Sequence, residues 1–341
     1  MAKKIAVVGA GAWGTALAAH AARQGHDVRL WAREPDVVAD VNERHENRLF
    51  LEGVGLPPAL RASSAPAEVL EGVEIVILVP PSAFLRNVAG MVAEHLPKSA
   101  RIVIASKGID ERTLGLMTDV TATAMPEHDA AAMCALSGPS FAREVASGLP
   151  TDVVVASKSA EAAAEVADAL HSPMFRVYTS KDPVGVEVGG AMKNVLAIAA
   201  GACDGLGLGT NARAALVTRG LSEMARLGVA LGGDPLTFMG LSGVGDLILT
   251  STGALSRNRS LGMKVAEGVE PAKYLAAQRT VAEGYLTARA AWRLAQKLGV
   301  DVPITEQVYH VLHEARPLLD AMKILLTRAQ KDELWGLPRT P

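Results

Sequence analysis

Residues Lys3 to Glu34 read KKIAVVGAGAWGTALAAHAARQGHDVRLWARE. Ile5–Val8 is a short apolar run of strand character. Gly9-Ala10-Gly11-Ala12-Trp13-Gly14 follows it, then a helix-forming stretch over Thr15–Gln24 and a second strand at Val28–Trp31. A Gly-x-Gly-x-x-Gly turn between strand and helix, closed by another strand, is the context a dinucleotide fingerprint requires. Gly9 permits the tight turn, Gly11 lets backbone approach a pyrophosphate, and Gly14 lets the helix pack closely on the strand. The helix N-terminus adds free N–H donors and a positive dipole end. The stretch therefore predicts a site for a nicotinamide dinucleotide.

Outward from that unit, further apolar runs fall at Ile75–Val79, Ile102–Ala105, Ala132–Leu136 and Val153–Ala156, alternating with helical stretches such as Ala83–Glu94 and Ala160–Leu170. Continuous rather than alternating apolar runs predict a parallel sheet covered by helices on both faces, a Rossmann-type doubly wound α/β domain. After Asp182-Pro183 the β-branched runs fade, and Ala/Leu/Glu-rich stretches predict an all-α C-terminal domain. Its first helix spans about Val186 to Gly201, and glycine-rich loops at Gly205–Gly209 and Gly240–Gly245 interrupt the rest. With 341 residues, two domains are expected, here 1–182 for the dinucleotide and 183–335 for substrate binding and dimerisation.

The composition, 49% hydrophobic and 21% charged, is that of a folded chain. A formal net charge of -2 gives no reason to expect nucleic acid. Cys134 and Cys203 lack the spacing of a disulfide framework or zinc site, and no metal is expected. Lys3-Lys4 before Ile5–Ala10 superficially resembles a secretory signal, but Gly9, Gly11 and Gly14 break its apolar run. No stretch reaches the roughly 18 apolar residues of a membrane span. Lys331-Asp332-Glu333-Leu334 is not C-terminal, so it is no retention signal. The expectation is a cytoplasmic protein without membrane insertion.

Several residues could carry chemistry. Arg33 at the end of the second strand suits the 2′-phosphate of NADP, whereas Glu34 suits the ribose hydroxyls of NAD, so both remain open with NADP slightly favoured. Lys193 sits in an apolar helical stretch, where an ammonium costs desolvation unless it is paired or used; a lysine reaching to the surface is the plainer alternative. Lys107, in Ser106-Lys107-Gly108, and Gly138-Pro139-Ser140 follow predicted strands at the edge where ligands bind in open α/β sheets. Gly245-Asp246 ends a glycine-rich loop, and Ser256-Arg257-Asn258-Arg259 offers donors suited to phosphate.

Taken in order, Gly9–Gly14 with Thr15-Ala16-Leu17-Ala18, Ser106-Lys107-Gly108, Leu136–Ala142, Glu187, Lys193-Asn194, Gly243–Leu247, Ser256-Arg257-Asn258 and Val281–Gly284 resemble the bacterial NAD(P)-dependent glycerol-3-phosphate dehydrogenases. The resemblance implies a 6-phosphogluconate dehydrogenase-like C-terminal domain, a homodimer, and reversible reduction of dihydroxyacetone phosphate to sn-glycerol 3-phosphate for glycerophospholipids. It assigns proton transfer to Lys193, and we read Asp246, which would orient it, and the Lys107 cation as its catalytic neighbours. Lys107, Gly138, Ser140, Lys193, Asp246, Ser256, Arg257 and Asn258 would contact substrate. Gly9, Gly11, Ala12, Trp13, Gly14, Arg33, Lys107, Ala142, Arg257, Val281 and Glu283 would line the cofactor. Ala12 stands where the family often has serine, so a hydroxyl contact is missing while the backbone N–H remains.

On this reading Lys193 gives a proton to the developing alkoxide. Lys107 would lower its pKa and Asp246 would oppose that, a contest the sequence leaves undecided. Two other readings stay open: a dehydrogenase of β-hydroxy acids or ketopantoate, and a non-catalytic NADP sensor.

Overall fold

The computed structural model describes residues 1–278, 282–333 and 335–336. Contacts divide the chain into two compact units, Met1–Ser106 with Met117–Pro183, and Lys107–Leu116 with Val184–Pro341. Segment 107–116 thus departs from a simple boundary at residue 182. Its Ile109 and Leu116 pair across a β-bridge and bury their side chains in the apolar core of the second unit, which carries Lys107 there too.

The first unit holds eight strands: β1 (Lys4–Val8), β2 (Asp27–Trp31), β3 (Arg61–Ser63), β4 (Ile75–Leu78), β5 (Arg101–Ile104), β6 (Cys134–Ser137), β7 (Thr151–Ala156) and β8 (Phe175–Ser180). Its helices are α1 (Ala12–Arg23), α2 (Pro35–Ala39), α3 (Pro66–Leu70), α4 (Leu85–Ala93), α5 (Met117–Ala124), α6 (Ala142–Ala146) and α7 (Ala160–Leu170). The strand order is β3-β2-β1-β4-β5-β6-β7-β8. Ile5 and Val7 join one apolar cluster with Leu17, Val28 and Leu30, while Ala6 and Val8 join another with Leu85, Val92 and Ile102. Successive side chains of one strand therefore feed cores on opposite faces, which is why the run is apolar at every position.

All pairings but one are parallel; β7 runs antiparallel to β6. The connecting helix α6 has five residues, a rise of about 7.5 Å, too short to return the chain along a strand of about 20 Å. The chain turns back instead, and a sheet expected to be parallel throughout is mixed near one end. Strands β3 and β8, which the sequence did not signal, lie at the two edges. β3 is three residues long, and β8 interleaves exposed Arg176 and Tyr178 with buried Phe175.

The second unit is helical: α8 (Pro183–Gly205), α9 (Gly209–Ala230), α10 (Asp246–Thr252), α11 (Arg257–Ala266), α12 (Pro271–Ala276), α13 (Glu283–Leu298), α14 (Pro303–His313) and α15 (Leu318–Leu326). α8 is long and apolar enough by composition to cross a membrane, but its apolar stretch is buried inside the protein. Glycines set how closely other segments approach it. A Cβ on Gly201 would lie 2.0 Å from the Arg259 carbonyl oxygen, and one on Gly262 2.0 Å from that of Ile198, so α8 and α11 meet backbone to backbone. Gly284 opens α13 against the carbonyl of Asn194 in the same manner.

Candidate active site

In the sheet unit, Gly9 adopts φ +118, and its missing Cβ would stand 3.0 Å from the Val79 backbone. A Cβ on Gly14 would lie 1.9 Å from the Gly9 carbonyl oxygen, so only glycine lets α1 start where it does. Above Gly11 a Cβ would meet nothing within 4 Å, an open cradle that any side chain would fill. Helix α1 begins with no side-chain cap and no acidic residue in its first turn, leaving its N–H donors and positive end to an external anion. Trp13 Nε1, buried, has no acceptor among the described residues. Ala12, Trp13 and Ala142 are partly exposed beside this loop's core cluster. These features fit the pyrophosphate of a dinucleotide. Beyond β2, the Arg33 Nε and Nη2 donate to Glu34 Oε1 at 3.1 and 2.7 Å, a solvent-exposed pair.

Gly138 and Ser140 follow β6. The Gly138 φ of +134 and the approach of Val153 Cα, 2.9 Å from its missing Cβ, give this glycine a packing reason. The Ser140 hydroxyl turns back to donate to the Gly138 carbonyl at 2.9 Å.

The helical unit gathers the charged residues. Asp246 opens α10 and is fully buried; Lys193 stands in the middle of α8 and is 8% exposed. Lys193 Nζ donates to Asp246 Oδ1 at 2.5 Å, and Lys107 Nζ donates to Oδ2 at 2.7 Å. One carboxylate thus bridges two ammonium groups. Burial pushes the Lys193 pKa down to about 7; Asp246 opposes the shift, and the Lys107 cation adds to it. The contest left open by the sequence is settled by desolvation. Burial also pulls the Asp246 pKa upward, but the two lysines outweigh it and hold the carboxyl below its ordinary value. Near neutral pH the cluster is a carboxylate with one lysine poised to give or take a proton.

Ser256 caps α11, its hydroxyl accepting from the Arg259 N–H, and Arg257 is exposed at the first helical position. With no acid in that first turn, the helix end and Arg257 form an electropositive point suited to a phosphate. Desolvation pulls the Arg257 pKa below its ordinary value, and the Glu283 carboxylate opposes that shift without cancelling it. Asn258 is buried, its amide donating to Asn194 Oδ1 at 2.8 Å and accepting from the Gly284 N–H at 3.0 Å. Val281 lies outside the described residues.

Two members of this network were not read as site residues. Thr250 Oγ1 donates to Asp246 Oδ1 at 3.2 Å from one turn along α10, an i, i+4 spacing that sequence could have flagged. Asn194, beside Lys193, orients the Asn258 amide; its partner is 64 residues away and leaves no local signature. Among the described residues no cluster of metal-ligating side chains occurs.

The family described as NAD-dependent glycerol-3-phosphate dehydrogenase N-terminus matches residues 4–163, and the corresponding C-terminus matches residues 182–323. A glycerol-3-phosphate dehydrogenase (NAD(P)+) of Geobacter metallireducens is 52% identical over 333 residues, covering 98% of this chain and 99% of its own. Its counterpart in Geobacter sulfurreducens is 50% identical, covering 98% of this chain and 100% of its own. The crystal structure of a glycerol-3-phosphate dehydrogenase from Coxiella burnetii aligns with a TM-score of 0.91 at 40% identity, over 96% of this chain and 99% of that one.

Proposed function

Because the chain belongs to the NAD-dependent glycerol-3-phosphate dehydrogenase family, we propose that it interconverts dihydroxyacetone phosphate and sn-glycerol 3-phosphate with NAD(P)H or NAD(P)+. The observation that carries the reading is the Lys193–Asp246–Lys107 cluster, in which burial pushes the Lys193 pKa down to about 7. A general acid or base works best with a pKa near the working pH.

Gly9, Gly11, Ala12, Trp13, Gly14, Arg33 and Ala142 would hold the dinucleotide, which when bound would supply or take up the hydride. As C2 of the ketone is reduced, its carbonyl oxygen gains charge, and Lys193 donates a proton from Nζ to form the hydroxyl. In the reverse direction neutral Lys193 accepts that proton. Asp246 holds both lysines in place, and Lys107 keeps positive potential at the developing alkoxide after Lys193 has given its proton. Arg257, with Ser256 and Asn258 on the N-terminus of α11, binds the substrate phosphate away from the reacting carbon, using remote binding energy to fix geometry. Gly138 and Ser140 contribute further substrate contacts. We place the enzyme in the cytoplasm as a homodimer, on a route to glycerophospholipid backbones, with the sheet unit, 1–106 and 117–183, for the cofactor and the helical unit, 107–116 and 184 onward, for substrate and dimerisation.

Initial rates with dihydroxyacetone phosphate as sole ketone, measured with NADPH and separately NADH, test this reading. Turnover is expected. Turnover only with carboxylate ketones such as ketopantoate would replace the substrate class, and none with any ketone would leave a cofactor-binding sensor.

A further inference from the structure

Asn47 lies outside every sequence motif, in the loop beyond α2, yet it is fully buried. Its Nδ2 donates to the Ala10 carbonyl at 2.9 Å and to Thr15 Oγ1 at 2.8 Å, while Thr15 Oγ1 itself donates to the same Ala10 carbonyl at 3.2 Å. The Asn47 Oδ1 accepts from the Phe50 N–H at 3.1 Å. Both amide protons and the amide oxygen are therefore engaged. Ala10 is the residue between the first two glycines of the dinucleotide turn.

We propose that Asn47 is a positioning residue for the cofactor, acting through the peptide between Ala10 and Gly11; the inference rests on the dinucleotide reading above. A trans peptide is planar, with its C=O and N–H pointing in opposite directions. Asn47 and Thr15 draw the Ala10 oxygen to one side, so the Gly11 N–H is turned to the other. That sets the plane from which α1 starts and the direction of the donors meant for the pyrophosphate. Groups preorganised in this way bind an anion without the cost of reorienting themselves.

The loop bearing Asn47 is built to hold it still. Asp40, 8% exposed, accepts from Arg44 at 2.7 Å and from Arg48 at 2.8 and 2.9 Å, bracketing Asn47 from both sides in sequence. Asn42 ties the same turn to β3 by exchanging two 2.8 Å bonds with the Ala62 backbone. His45 adopts the left-handed φ of 56, and its carbonyl accepts from the Leu56 N–H at 2.7 Å. An asparagine that only filled space would need no such bracket.

The test is direct binding to the full chain by calorimetry, with NADPH, NADH and ADP-ribose as probes, on wild type and Asn47→Asp. The aspartate keeps the shape, but its carboxylate faces the Ala10 carbonyl. We expect about tenfold weaker binding of all three probes, about 1.4 kcal/mol, with KM for dihydroxyacetone phosphate at saturating cofactor unchanged. Acidification should restore binding in the variant, because the introduced carboxyl becomes a donor once protonated, and should not strengthen it in the wild type. Equal affinities at every pH, or equal losses in the cofactor and substrate constants, would overturn the proposal. Should Asn47→Asp fail to fold, Asn47→Ser serves instead: weaker probe binding with the substrate constant unchanged supports the role, and unchanged probe binding refutes it. A wild type that binds none of the probes would sink the dinucleotide reading itself, a distinct result.

Discussion

Replacing Asp246 by Asn takes away the negative charge that joins Lys193 to Lys107 while leaving the shape nearly intact. Lys193 stands at about pKa 7 with Asp246 already pulling it upward against burial and Lys107. An opposite charge in contact is worth about 1 to 3 pKa units, so its loss should lower Lys193 to between about 4 and 6. The alternative, keeping two ammonium groups charged around a neutral amide, would cost about 3 to 5 kcal/mol, which makes deprotonation the cheaper response. At pH 7 the protonated fraction then drops from about one half to roughly a tenth or less. The assay is the pH dependence of kcat/KM in both directions. In the wild type, reduction should fall and oxidation rise through an inflexion near 7. In Asp246→Asn both inflexions should move to lower pH, with reduction at pH 7 running about tenfold or more below the variant's own acidic plateau. An inflexion that stays near 7 would show that the titrating group is not Lys193 under the control of Asp246.

Lys193→Met should lower kcat by about a hundredfold or more with cofactor affinity retained; a near-normal kcat removes it from proton transfer. Arg257→Gln should raise KM for dihydroxyacetone phosphate about tenfold or more through loss of a charge-assisted bond, while dihydroxyacetone itself should be turned over as slowly as by the wild type. Glu223 of α9, buried against the start of α14, accepts from the Ile304 and Thr305 N–H groups and the Thr305 hydroxyl, yet burial raises its pKa to about 7. Its folded pKa lies above the ordinary 4.5, so its stabilising contribution is complete below that value and lost as pH rises through about 7. The melting temperature of the wild type relative to Glu223→Gln should therefore decline between about pH 5 and 7, and a constant difference would exclude the titration.

The dinucleotide turn was legible because its demands are local. Gly9 needs a left-handed φ, and Gly14 has no room for a Cβ against a carbonyl five residues earlier, so the glycine spacing carries the geometry. The apolar runs of β1, β4 and β5 were legible for a similar reason, since burial on both faces leaves no polar position. The reversal at β7 was not, because direction depends on whether the intervening helix is long enough to span the sheet, and α6 looks helical at any length. Lys193, Asp246 and Arg257 could be nominated singly by residue type and surroundings. Their roles could not be ranked, because Lys107 and Asp246 are 139 residues apart and Lys193 and Asp246 are 53 apart.

The α8 glycines join these two levels. In sequence, Gly189, Gly190, Gly201 and Gly205 look like weaknesses in a helix, each costing about 1 kcal/mol against alanine. In the structure Gly201 and Gly262 let α8 and α11 touch at the backbone, and Gly284 brings α13 onto Asn194. That close packing places Asn194 where it can orient Asn258, and the Asn258 amide then accepts from the first turn of α13. The same helix buries Lys193 deeply enough for desolvation to outweigh the attraction of Asp246. A helix of better propensity would stand further from its neighbours, admit water to Lys193 and leave its pKa nearer that of an ordinary lysine. Helix stability is thus exchanged for proximity, and the lowered pKa of the proton-transfer group follows from that proximity.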